Sequence, residues 1–520
     1  MNIFIHSEVV FLSKQNILRS AAFLTLSGII AKSVDFGFRA FYSTRLGAEG
    51  MGLFSLVFSF HSIILTFATG GLGVAVSKTV AEQYTKGCTD NIKKIMRVAL
   101  LCVFLLSSAV ILATYIFSHH ISATFLKEPR THLSILALSP SILFMSISYC
   151  IKGYFYAARK VFIPASSEFV EQAVKITSIT LLLNRFMPMG ISYGCAAVFL
   201  GITIGELSSC LYLSFFYLKD RPALCYVCQR ENIFLTLARI ALPAMTTSLS
   251  SAFLRMQENV LIVSCLKKSG LSNSDALSRY GTIHGMVMPL IIFPLTLLSS
   301  CFTLLIPEIS RADSMKSRLR LSTLVSRLYR FTAFGGFLVC TIFTTLPAEL
   351  SNLVYSAPHI SKSVFVIALF SPVMFMDSVS CGILNGLGKQ TNLLIFSFCD
   401  SFLRIGLILF LTPKTGINSL FVIIFISNIF TSACTMRKVL KTTKIPFELS
   451  GWFFRNLIAA ILTYFTATSL SAFFNYGSGV FSTVLGITFI VGVYTLYSSC
   501  LCKNLRTDMS WFANRMFLNN

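Results

Sequence analysis

Apolar runs of about 20 residues follow one another from Ile17 to Leu501, separated by short polar stretches rich in Lys and Arg. Runs of that length, without the alternation of barrel strands, predict helices that cross a bilayer. The pattern places spans near 17–38, 52–77, 96–118, 132–155, 164–184, 191–217, 236–265, 279–303, 328–349, 363–385, 391–412, 416–436, 452–475 and 479–501, about fourteen helices. The expected fold class is an all-α polytopic membrane protein.

Composition supports this. Hydrophobic residues make up 55% of the 520 and charged residues only 12%, whereas a soluble protein carries about 25%. Lys and Arg number 43 against 20 Asp and Glu. Alternate loops carry roughly 29 and roughly 10 of these cations, the asymmetry of cytoplasmic against outer loops. The rich set comprises Lys78–Arg97, Lys152–Lys160, Lys219–Arg239, Arg311–Arg330, Arg437–Arg455 and both termini, so both ends are expected in the cytoplasm. The excess thus reports topology and contact with anionic headgroups of membrane lipids, with no nucleic-acid partner. Met1–Leu12 lacks a basic n-region, and its apolar run Val9–Leu12 is too short for a signal peptide, so the first span should direct insertion. The 15 cysteines sit mostly singly in apolar spans, and Cys225-Tyr-Val-Cys228 is a lone pair with no His beside it. Neither a metal site nor a cofactor is indicated.

The chain contains an internal repeat. Gly153–Lys160 (GYFYAARK) precedes a span carrying Glu171 and Lys175, and Gly382–Lys389 (GILNGLGK), at the same interval, precedes one carrying Asp400 and Arg404. A weaker echo pairs Ala75–Lys78 with Glu308–Arg311. Two six-helix lobes related by pseudo-twofold symmetry follow, 1–218 and 233–440, joined by a cytoplasmic linker at 219–232. Two additional helices and a cytoplasmic tail occupy 441–520. An even number of spans per copy gives both copies one orientation, about an axis along the membrane normal.

Charges inside apolar spans carry the chemistry, because each costs about 2.5–3.5 kcal/mol on insertion scales. In the first span Lys32, Asp35 and Arg39 share one helical face. Either Asp35 neutralises the two cations within a packed bundle, or the surplus positive charge faces a cavity and an anionic substrate. The equivalent helix of the second lobe holds Thr246, Thr247, Ser248, Ser250 and Ser251 ahead of Arg255, Gln257 and Glu258, and it too is expected to line water. Lys32 and Arg255 at comparable depths could together grip a diphosphate. Glu171–Lys175 and Asp400–Arg404 are acid-before-base pairs at i, i+4, which suits neutralisation inside each lobe, with coupling or gating as the alternative. His61 and His284 read as packed residues before proton carriers, and Glu206 is open to either role.

Several runs together resemble the polysaccharide-transporter branch of the multidrug/oligosaccharidyl-lipid/polysaccharide (MOP) exporter superfamily. They are Arg45–Phe58 (RLGAEGMGLFSLVF), Thr69–Gln83, Pro164–Lys175, Ile204–Ser209, Met288–Ser310 and Ile383–Gln390, in that order between Lys14 and Leu501. The resemblance implies fourteen helices in two lobes around a cavity, alternating access, and translocation of polyprenyl-pyrophosphate-linked saccharides such as lipid II across a bacterial cytoplasmic membrane. It also implies important cavity cations on first helices, which map to Lys32, Arg39 and Arg255. Gly73 stands where many relatives have Pro, and Asp35 is an acid on a face that usually lacks one.

The expected function is therefore a flippase for an undecaprenyl-pyrophosphate saccharide, serving cell-wall, spore-cortex or polysaccharide synthesis, with cell-wall synthesis enzymes as further partners. A cation-coupled multidrug exporter is the alternative; cationic drugs call for acidic or aromatic cavities. No Walker loop, HExxH, GxSxG or Asp-rich cluster is present and every loop is short, which argues against a membrane glycosyltransferase or any other enzyme. A scaffold for cell-wall assembly is the remaining alternative.

Overall fold

The computed structural model describes residues 2–86, 89–220, 232–303, 306–445, 450–471 and 479–501, with Ser510; Cys225 and Cys228 lie outside them. The first half of the chain forms α1 (Asn2–Thr69), α2 (Leu72–Lys86), α3 (Thr89–His120), α4 (His132–Leu138), α5 (Ser141–Ala157), α6 (Phe162–Phe186) and α7 (Ile191–Lys219). Then come α8 (Ile233–Lys268), α9 (Asn273–Tyr280), α10 (Met288–Thr303), α11 (Ile306–Ser314), α12 (Arg318–Thr345) and α13 (Pro347–Tyr355). The chain continues through α14 (Ser361–Ala368), α15 (Ser371–Gly386), α16 (Gln390–Thr415), α17 (Asn418–Thr443), α18 (Arg455–Ser471) and α19 (Val480–Leu501), with no strand among the described residues.

Ten of the described helical stretches are long and apolar enough to cross a membrane, or twelve if each of two bent pairs is one span. The protein is a polytopic all-α membrane protein, but the expected count of fourteen is not reached. Two features account for the difference. The first two expected spans run together in α1, which turns only at Gly47, whose φ of 69° a side chain would strain. α6 carries Glu168, Glu171, Lys175 and Arg185 within its 25 residues, too many charges to register as apolar.

The repeat read from the sequence recurs in the backbone. Left-handed residues stand at Lys127 and Ser356, and again at Arg159 and Gly388, with one and the same interval between partners. That interval also separates the 3-10 turns Pro129–Thr131 and Pro358–Ile360. Each turn opens a bent helix pair, α4 with α5 and α14 with α15.

Contacts group the chain into two compact units, Arg45–Gly281 and Met1–Thr44 with Thr282–Asn520. These differ from the sequence halves in that each half's first helix is grouped with the other half. In the Arg45–Gly281 unit, Leu72, Val76 and Val80 of α2 pack with Met96 of α3, Tyr154 and Phe155 of α5, and Leu213 of α7. In the other unit, α12, α15 and α17 close around Trp452, which is fully buried with its ring 4.9 Å from that of Tyr329. α18 and α19 dock on α12 through Phe334, Phe337, Ala459 and Tyr494. In lipid, helices associate by close packing rather than by hydrophobic burial, so the glycines matter. A Cβ on Gly201 or Gly205 of α7 would press into Ile179 or Lys175 of α6.

Candidate functional site

On α1, Lys32 and Asp35 are exposed and Arg39 is half-buried. Neighbouring aromatics fix the rotation of this face. Phe36 stacks on Phe293 of α10 with ring centroids 4.2 Å apart, while Phe38 and Tyr42 on the other flank are buried. The charges of Arg39 and Asp35 are felt at the Tyr42 hydroxyl, and that of Arg39 also at Tyr355. Tyr355 in turn donates its hydroxyl to the Met286 carbonyl at 2.9 Å.

In the other unit, α8 runs through Pro243 as one helix, with Arg255 exposed and Glu258 buried. Arg255 Nε donates to the Ser251 carbonyl at 3.3 Å, and Asn259 Nδ2 donates to Ser59 Oγ at 2.7 Å. The hydroxyls of Thr246, Thr247, Ser250 and Ser251 all donate back to carbonyls of their own helix. A hydroxyl so satisfied needs no water, so Arg255 says more about this face than the Ser/Thr ladder does.

Asp400 and Arg404 form an ion pair at 3.0 Å. Ser427 of α17 donates to Asp400 Oδ1 and accepts from Arg404 Nε at 2.6 Å. Asp377 on α15 accepts from Thr435 at 2.9 Å, within Coulombic range of that pair. In the other unit, Glu171 and Lys175 are half-buried on α6, within Coulombic range of Glu206 on α7. Lys152 of α5 reaches Glu168 at 3.7 Å. Buried His61 shares a 3.0 Å hydrogen bond with Ser141, a packed histidine.

One charged network was not anticipated from the sequence. Arg130 bridges two acids, Nη1 to Glu49 Oε1 and Nε to Glu128 Oε1, each at 2.7 Å. Glu128, only 1% exposed, also accepts from Asn273 Nδ2 at 2.7 Å, and Lys267 stands 3.8 Å away. The signal available was Glu128-Pro129-Arg130, charges flanking a proline in a loop too short to attract notice.

These features define a polytopic all-α membrane protein with charged side chains inside its spans. The chain belongs to the family described as polysaccharide biosynthesis protein, whose family model matches residues 17–313, more than half its length. It is similar to stage V sporulation protein B of Bacillus subtilis (strain 168), 25% identical over 413 residues covering 78% of this chain and 80% of that one. It is also similar to the lipid II flippase MurJ of that organism, 20% identical over 409 residues covering 72% and 73%. Among solved structures, MurJ in an inward closed conformation matches with a TM-score of 0.72 over 92% of this chain and 99% of that chain, at 14% identity. An inward-facing multidrug MATE transporter matches at 0.65 over 81% and 98%, also at 14%. At such identities the structural likeness speaks to fold.

Proposed function

We propose that the chain is a flippase that carries an undecaprenyl-pyrophosphate-linked saccharide, lipid II-like or a polysaccharide precursor, from the cytoplasmic to the outer leaflet by alternating access. One observation carries this reading: Lys32 and Arg255 stand exposed at mid-helix on the first helix of each sequence half. A cation at hydrocarbon depth has to face water or an anion. A diphosphate offers it charge-assisted hydrogen bonds. Arg39 adds to the positive side, while Asp35 and Glu258 limit the net charge. Glu171–Lys175 and Asp400–Arg404 serve within their lobes, as ion pairs or as coupling groups. The functional lobes are 1–218 and 233–440, joined by 219–232, with the helices of 441–520 appended. The setting is a bacterial cytoplasmic membrane with both termini inside, and the flipped precursor feeds cell-wall, cortex or polysaccharide enzymes. Outward movement of an anion from a negative interior gains about 2.3 kcal/mol per charge per 100 mV, so ATP is not required. Cation-coupled drug export fits the likeness to MATE transporters, but exposed cations suit a cationic cargo poorly.

The test is rescue of cells depleted of their own lipid II flippase. The parent chain should rescue, and Lys32→Ala and Arg255→Ala should each cut transport about tenfold, the loss of one charge-assisted bond of about 1.4 kcal/mol. Asp35→Asn should transport at least as well as the parent. If Lys32→Ala and Arg255→Ala rescue fully the site is wrong, and if the parent fails the substrate is wrong.

A further inference from the structure

The Glu49–Arg130–Glu128–Asn273 network does more than tie down loops. It lies at the helix ends opposite the basic loops, hence on the outer face by the positive-inside count. Glu49, Glu128 and Arg130 belong to the first sequence half, Lys267 and Asn273 to the second, and all five lie in one compact unit. Two carboxylates and one guanidinium thus hold the α8–α9 hairpin of the second half against the start of the second span and the loop before α4.

Three observations suit a part that opens. First, the tie at the outer end of the hairpin is charged, beside the close backbone packing of Gly281 on Gly52: Arg130 and Lys267 keep 35% and 29% of their side chains exposed, so water is at hand to solvate them once they part. Second, the feature is single. In the other copy of the repeat, Ala357, Pro358 and His359 occupy the places of Glu128, Pro129 and Arg130, and no acid is there to be held. Third, a polar contact sits beneath it: Asn259 of α8 donates to Ser59 of α1 at 2.7 Å. Separation of the hairpin would expose Ser59 to the outside.

We propose that this network is the outer latch of the transport cycle: it holds the outer mouth shut, and cargo leaves only when Arg130 lets go of its two acids. The proposal rests on the alternating-access reading above.

The experiment places a reporter behind the latch. Ser59→Cys is labelled in intact cells with a membrane-impermeant maleimide, the parent chain with its 15 cysteines serving as the blank. Labelling should be slow in Ser59→Cys alone and about tenfold faster with Arg130→Gln added, the shift that 1.4 kcal/mol of lost closure carries. Arg130→Lys, which keeps the charge but not the fork, should fall between. Lys267→Gln, at the exposed rim, should give a smaller rise and guards against misfolding of the Arg130 variant. Equal labelling in all four folded proteins overturns the latch. Because labelling needs no cargo, the two readings fail separately. Failed rescue with latch-dependent labelling removes the substrate; rescue without it removes the latch.

Discussion

Gly281 offers the sharpest test of how the membrane helices are packed. It is the residue after α9, with an ordinary helical φ of −62°, so alanine is conformationally acceptable there. A Cβ at that position, however, would lie 1.9 Å from the Ala48 carbonyl oxygen, 2.5 Å from Gly52 N and 3.0 Å from Gly52 Cα. All three are backbone atoms, so no side chain can rotate away and one helix has to move about 1.4 Å to restore van der Waals distance. Overpacking that the backbone must absorb costs about 1–3 kcal/mol. Gly382 on α15 is the control: nothing lies within 4 Å of its Cβ position. There the change from Gly to Ala should be neutral or stabilise by about 0.5–1 kcal/mol through helix propensity alone. The assay is the thermal midpoint of each variant in detergent, followed by loss of the monodisperse peak on size exclusion. Gly281→Ala should melt below the parent and Gly382→Ala at or above it. A Gly281→Ala protein as stable as the parent would show that α9 does not cross the start of the second span at backbone distance.

Trp452→Ala should cost about 3–5 kcal/mol, since it empties a fully buried site against Tyr329, and should expose α18 and α19 to limited proteolysis before the rest of the chain. Trp452→Phe should recover most of that loss in the same digest. Arg159→Gly should stabilise by about 0.5–1 kcal/mol, because Arg159 adopts φ 59° where the repeat has Gly388 at φ 67°; a lower melting midpoint would show that the arginine makes a contact worth more than its strain. Asp400→Leu should cost about 1–3 kcal/mol, less than a fully buried broken pair because Arg404 keeps 31% of its side chain exposed. The double variant Asp400→Leu/Arg404→Leu should be milder than Asp400→Leu alone, and additive losses in a double-mutant cycle would argue against coupling of the two.

The helices were legible because a bilayer imposes one length and forbids unsatisfied backbone, so most spans announce themselves by apolar run length. α6 shows where that signal thins. Its charges are tolerated because they face other charges on α5 and α7, a tertiary fact invisible to a window of hydropathy. The repeat was readable from Gly153–Lys160 and Gly382–Lys389 because turns constrain the backbone. The left-handed residues Arg159 and Gly388 fall inside those very runs.

Side-chain partnerships were less legible, and the reason is one of distance along the chain. Asp400 and Arg404 are four residues apart, so helical geometry alone brings them together, as the 3.0 Å contact records. Arg130 and Glu49 are joined at 2.7 Å across 81 positions, and Glu128 and Asn273 across 145. No periodicity encodes such pairs, because their register depends on how the helices pack and not on either helix. The same reasoning lowers the weight of the α8 hydroxyls, which local carbonyls satisfy, and raises that of Arg255, whose guanidinium exceeds what the single Ser251 carbonyl can satisfy and whose exposure leaves its remaining donors for solvent or cargo. In a membrane helix, then, the polar residues that bear on the proposed cargo site are those the helix cannot satisfy by itself. By that criterion Arg255 ranks above Thr246, Thr247, Ser250 and Ser251 on α8.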